Sequence, residues 1–140
     1  MSPNQIFSIV SGVAVVGWVL LAVLPRVRWV ADIACALVIP GIFAIVYVAI
    51  LLVHWGGHAG GFSSLQDVAL LFGNPWLLLA GWVHYLAFDL FVGSWEVRDA
   101  RERGIPHLLV LPCLVLTFLF GPAGWLLYLG LRTRRRSQLL

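Results

Sequence analysis

The chain has 140 residues, of which 61% are hydrophobic and only 11% charged, and its mean hydropathy is +0.98. A soluble domain carries about 25% charged residues, so this composition cannot cover a water-facing surface. It excludes an ordinary soluble enzyme, a disordered chain and a nucleic-acid-binding module. The net charge of +3 arises from nine arginines against six acids, with no lysine. Arginine without lysine is the coding bias of a GC-rich bacterial genome, and the localisation it implies is a bacterial inner membrane.

A helix rises about 1.5 Å per residue, so a hydrocarbon core of ~30 Å needs roughly 20 apolar residues. Stretches 6–24, 29–53, 76–95 and 108–131 meet that requirement. They predict an all-α, polytopic transmembrane four-helix bundle in one membrane domain, with both termini on one side. The first stretch does not read as a signal peptide. The preceding MSPNQ has no basic residue, and the run exceeds the ~7–15 apolar residues of a signal core. Pro25 ends it, because proline supplies no backbone donor, and PRVR forms a tight link to the second stretch.

Between the second and third stretches lie Gly56, Gly57, Gly60, Gly61 and Gly73, but also the apolar piece VALLF at 68–72. That piece predicts a short interfacial or re-entrant helix starting at Ser63-Ser64. The link WEVRDARERGIPH is charged, reads as solvated with local ion pairs, and closes at Gly104-Ile105-Pro106. Pro40, Pro112 and the run Gly121-Pro122-Ala123-Gly124 interrupt the second and fourth stretches. Each proline frees a carbonyl that needs a partner inside the protein. Ser8 and Gly12 have the spacing of a small-residue helix contact. Residues 132–140 form a basic tail. With four spans, the arginines divide four on one side (Arg132, Arg134, Arg135, Arg136) and five on the other, so the positive-inside rule leaves orientation undetermined. Cys35 and Cys113 sit in apolar runs and read as small buried residues.

A carboxylate at mid-helix costs about 2.5 to 3.5 kcal/mol on insertion scales, which singles out Asp89 in GWVHYLAFDLFVGSWE. At 100° per residue, Trp82, Tyr85, Asp89, Gly93 and Glu96 share one stripe. His84 lies about 140° around the helix from Asp89, so the two need a ligand or a partner helix to work together. Asp89 has two readings: a structural pin bonded to an arginine, a tyrosine or Thr117, or a proton donor. His54 and His58 are four apart, and with His84 they offer an alternative metal or haem site; no cofactor is otherwise implied. Asp32 fits the acidic first-turn preference of a helix, and His107 caps the fourth stretch or meets headgroups. Trp29, Trp55, Trp76, Trp95 and Trp125 suit an interfacial aromatic belt. Tyr47, Trp82, Tyr85, Phe88 and Phe91 lie deeper, as bundle packing or as the wall of an isoprenoid cleft.

The runs GNPWLLLAGWVHYLAFDLFVGSWEVRDA and IPHLLVLPCLVLTFLFGPAGWLLYL resemble the abscisic-acid-deficient-four-like family of small membrane proteins. The shared core is Trp82, His84, Asp89, Leu90 and Phe91, followed by a charged link and a last span bearing Gly121-Pro122. The second half of the chain carries this resemblance, and the first half matches it as two apolar spans. Plant members are linked to neoxanthin formation from violaxanthin, which opens an epoxide and removes a proton without redox change. The resemblance therefore implies a four-span protein acting on or binding a carotenoid or isoprenoid by isomerase-type acid–base chemistry. It implies Asp89 and His84 as catalytic candidates; the stripe adds Tyr85 to them, and the stripe and the deeper aromatics give Trp82, Phe88, Phe91 and Glu96 as candidates for lining the ligand. A non-enzymatic carotenoid- or lipid-binding subunit of a membrane complex and a His-ligated haem or metal protein are the other two readings. Expected partners are membrane lipid, a carotenoid or isoprenoid ligand, and a second copy or another subunit.

Overall fold

The computed structural model describes residues 1–57 and 59–136, and among them every regular element is helical. The first helix, α1, spans Pro3–Val23. Ser2 caps it: its hydroxyl accepts from Gln5 N–H, and the Gln5 side chain takes the Ser2 N–H in return. This reciprocal arrangement satisfies two of the orphan donors of the first turn. A π-helical segment, Val30–Val38, runs directly into α2, Ile39–His54. The wider winding sits immediately ahead of Pro40. Ile39 N–H reaches five residues back to the Ala34 carbonyl, so the proline, which clashes with the carbonyl four residues back in ordinary α-winding, is absorbed without a break.

After a Gly-rich link comes α3, Leu65–Phe72, with Ser64 as its cap. Its bounds agree with the expected short helix. Leu71 is buried whereas Leu65 is 84% exposed, so α3 turns only one edge inward. Next comes α4, Pro75–Glu102, the longest helix. It outruns the expected 76–95 by two turns and carries the charged sequence with it. Among the described residues, three helical stretches are long and apolar enough to cross a membrane: α1, residues Val30–His54, and α4. Exposed apolar side chains such as Ile45 (72%) and Leu52 (82%) form the kind of continuous patch that soluble proteins avoid.

The fourth expected span is two helices, α5 (His107–Phe120) and α6 (Pro122–Arg136). Gly121 separates them with φ +31°, a backbone state open to glycine and strained for other residues, and Pro122 starts the new helix. The chain then reverses. Near Gly121, α5 reaches the level of Asp89, yet Tyr128 and Arg132 on α6 contact Asp99, ten residues further along α4. The pair is a closed hairpin: a Cβ on Gly124 would run into the backbone nitrogen and hydroxyl of Thr117. The expectation of both termini on one side rested on a continuous fourth helix, which Gly121-Pro122 does not allow.

Helix directions follow from contacts. The start of α1 meets the start of α4 through Phe7 and Trp82, and the end of α2 stacks on it through His54 and Trp76. At the opposite end, Ala22 of α1 meets His107 and Asp32 meets Arg101. α4 is the axis, packed by α1, α2, the π-helical segment, α3, α5 and α6. Close approach occurs at Gly93, where a Cβ would lie 2.6 Å from the Trp18 ring. It does not occur at Gly12, where an added Cβ would meet nothing within 4 Å, so the Ser8–Gly12 pair makes no close contact with another helix of this chain.

Candidate functional site around Asp89

Asp89 projects from α4 toward the α5–α6 turn. Its carboxylate packs over Gly121, where an added Cβ would sit 2.8 Å from Oδ1. Asp89 is half-buried, and its Oδ2 is buried with no hydrogen-bond partner. The Tyr85 hydroxyl lies beside this carboxylate and donates to the Phe118 carbonyl at 3.0 Å. Phe118 is in the last turn of α5, where carbonyls have no intrahelical donor. The Gly121 N–H is already taken by the Thr117 carbonyl at 2.9 Å. Asp89 thus stands at a broken helix, beside the N-terminal turn of α6, where the helix dipole favours a negative charge.

Trp82 flanks Tyr85, with ring centroids 5.3 Å apart, and donates from Nε1 to Ser11 on α1 at 3.0 Å. Above it, Pro3, Phe7, Leu78 and Trp82 line a groove of about 260 Å³. Below, Trp18, Leu114 and Phe118 line a second groove of about 220 Å³ between α1 and α5. Trp18 and Phe118 meet edge-on. Tyr85 and Asp89 line neither groove; Tyr85 touches the wall of each, through the Trp82 ring and the Phe118 carbonyl.

The structure separates the remaining expected site residues. His84 points the other way around α4, against Tyr47 at 5.7 Å and Phe88 at 4.7 Å. It borders a cavity of about 240 Å³ shared with Trp55, Phe62 and Phe72. The helical-wheel separation of His84 and Asp89 therefore holds, and no single cleft takes both. Phe88 and Phe91 line a third groove, at Pro40 and Gly41, away from Asp89. Glu96 is fully buried and accepts from the Thr117 hydroxyl at 2.9 Å; it faces the hairpin rather than a ligand groove, and its Oε2 has no partner. Of the alternative metal set, His54 is stacked on Trp76 at 4.1 Å with Nδ1 on the Ile50 carbonyl, and His58 lies outside the described residues. No group of three His, Cys, Asp or Glu side chains gathers among the described residues.

Several residues carry more than the sequence suggested. Asp99, read as part of a solvated link, is only 8% exposed. It accepts from the Tyr128 hydroxyl at 2.7 Å and from Arg103 Nε at 2.8 Å, and it pairs with Arg132 at 3.0 Å. Asp32, which seemed to need no role beyond a first helical turn, pairs with Arg101 at 2.6 Å. His107 donates from Nε2 to the Ala22 carbonyl at 2.9 Å and ties α5 to α1. The signal available for Asp99 was its place four residues before Arg103, the spacing of a helical ion pair if the helix ran on; the density of charges in the link hid that continuation.

A family model described as ABA DEFICIENT 4-like matches residues 5–128. No curated protein and no solved structure matches the chain significantly.

Proposed function

The chain belongs to the ABA DEFICIENT 4-like family, and from that premise we propose that it binds a carotenoid or related isoprenoid in the membrane and isomerises it by acid–base chemistry at Asp89. The observation that carries this reading is the unpartnered Asp89 Oδ2 beside the Tyr85 hydroxyl, at a helix break. A buried carboxylate kept without a partner is costly, and a site that must give up and recover a proton needs such a free atom. Apolar grooves along α1, walled by Trp82 and by Trp18 and Phe118, the neighbours of Tyr85, suit an elongated apolar chain lying beside the helix. Trp82 and Trp18 provide flat apolar walls.

In this mechanism the Asp89 carboxyl donates its proton to a substrate oxygen as a carbon–oxygen bond opens. The resulting carboxylate, beside the N-terminal turn of α6, takes a proton from a neighbouring carbon. Proton and electron counts balance, so no redox partner is required. Tyr85 orients the carboxyl. His84 faces a different cavity and takes no part in the transfer.

The test is the absorption spectrum and organic extract of the purified protein, followed by incubation with an epoxy-carotenoid. Bound pigment converted to an isomer supports the proposal, with conversion lost and pigment retained in Asp89→Asn. Retained pigment without conversion in the native chain transfers support to a non-enzymatic binding subunit. A Soret band or stoichiometric metal supports the histidine-based reading.

A further inference from the structure

The helix directions place every arginine at one end of the molecule. Arg26 and Arg28 lie in the link between α1 and the π-helical segment. Arg98, Arg101 and Arg103 close α4, and Arg132 and Arg134 lie in the last turns of α6, which ends in Arg135-Arg136. The hairpin brings the last group to the side of the others, since Arg132 reaches Asp99 while Arg101 reaches Asp32. By sequence position that end holds nine arginines and four carboxylates: Asp32, Glu96, Asp99 and Glu102. The other end, with the start of α1 and all of α3, has Asp67 and no arginine or lysine. With four continuous spans the count is five against four; with a hairpin it is nine against none.

Neither hairpin helix spans a bilayer. The 14 residues of α5 reach about 21 Å at 1.5 Å per residue, short of the ~30 Å core. The pair therefore enters from the arginine side and returns to it, and three spans leave the first residue on the far side. The local pairs use up only part of the charge. Arg26, Arg28 and Arg134 are exposed and have no carboxylate partner among the described residues, and Arg101 Nη1 is buried without an acceptor. Trp29 is 58% exposed, and Trp95 lies under the Arg132 guanidinium at 5.6 Å, as interfacial indoles do.

We propose that this end binds the anionic headgroups of phospholipids in one leaflet, the cytoplasmic one, and so holds the protein with its N terminus on the opposite side. Guanidinium pairs with phosphate bidentately, and clustered arginines beside a span are attracted to anionic lipid. The uneven count satisfies the positive-inside rule without ambiguity.

Two measurements test it. Cys35 and Cys113 are buried, so the native chain is the blank for a membrane-impermeant maleimide. Ser2→Cys should react in intact cells of a bacterial host, and Arg28→Cys and Arg134→Cys only in inverted vesicles. Ser2→Cys and Arg134→Cys reacting from the same side would overturn the proposal. In native mass spectrometry from mixed micelles, phosphatidylglycerol should be retained about fivefold or more over phosphatidylcholine. The combined Arg26→Gln, Arg28→Gln and Arg134→Gln variant should lose that preference with an unchanged melting profile, and the matching lysine variant should keep it. Equal retention of both lipids by the native chain overturns the proposal. So does displacement of the lipid by millimolar inorganic phosphate, which would mark a soluble phosphate ligand instead.

Discussion

His84 and Asp89 are five residues apart on α4 and face opposite sides of it. On the His84 side, α2 and the 55–72 segment offer aromatic rings and apolar chains: Tyr47, Phe62, Phe72 and Phe88. On the Asp89 side, the tip of the α5–α6 hairpin offers backbone carbonyls, a helix N-terminus and the hydroxyls of Tyr85 and Thr117. The first environment can hold a hydrophobic group and do little else. The second leaves a buried carboxylate oxygen without a partner, which the proposed proton transfer requires. Membership of one sequence core thus gives no assurance of one chemical site; the helix between them divides the work.

The largest expected effect tests that division at its chemical end. Asn keeps the shape of Asp89 but has no exchangeable carboxylic proton. Asp89→Asn should lower conversion of bound pigment by roughly 10²- to 10⁴-fold, the range of a general acid–base contribution. Per-molecule pigment content and the melting temperature should change little. Rates measured against pigment content by chromatography decide it, and an unchanged rate would remove the chemical distinction between the two sides.

The next test is steric. A Gly124→Ala methyl meets Thr117 backbone and hydroxyl, neither of which can move without opening the hairpin. Overpacking of this kind costs about 1–3 kcal/mol. Across α4, a Gly81→Ala methyl meets the edge of the Phe72 ring at 2.8 Å, and a ring on a short partly exposed helix can swing away. Thermal unfolding in detergent should therefore show the larger drop for Gly124→Ala. The reverse order would mean that the hairpin is the looser of the two sides.

Polar pairing sharpens the contrast at smaller scale. Thr117 gives Glu96 its one hydrogen bond in a fully buried position. Thr117→Val should cost about 1–3 kcal/mol, the penalty for stranding a buried acceptor, with pigment binding retained. Tyr85→Phe removes the bond to the Phe118 carbonyl and should cost about 1 kcal/mol. Its slower conversion would report the orientation of Asp89. Denaturant titrations of the two variants give the order directly.

Much of this contrast was legible before any coordinates. Apolar runs and glycine or proline links located α1, the stretch Val30–His54 and the start of α4 to within a few residues, because spanning length leaves little freedom; the end of α4 lies seven residues beyond the expected one. Helical phase alone set His84 apart from Asp89. The hairpin was not legible as a reversal. Gly121-Pro122 marks a break, but a kinked span and a hairpin have the same hydropathy, and only Thr117, Tyr128 and Arg132 in contact decide between them. Asp99 was hidden for a related reason: charges after Trp95 look solvated until α6 returns to cover them. Glu96 was read as a ligand contact from its stripe, which gives the face of α4 but not the element packed on it.

The smallest expected effect lies on the apolar side. Among the described residues, His84 makes ring contacts with Tyr47 and Phe88, and no hydrogen bond of its side chain accompanies them. A phenyl ring preserves such contacts, so His84→Phe should alter stability by no more than about 0.5 kcal/mol. Conversion at Asp89 should remain near the native rate, because no proton path crosses α4. His84→Gln supplies a control of opposite character, keeping polarity and losing the ring; it should loosen the cavity more than His84→Phe does. The informative outcome is the pair read together. If conversion falls in His84→Phe but survives in His84→Gln, with both variants folded, the imidazole is being used for its polar edge. A ligand long enough to wrap α4 then joins the two sides, and the division of work drawn from the structure fails.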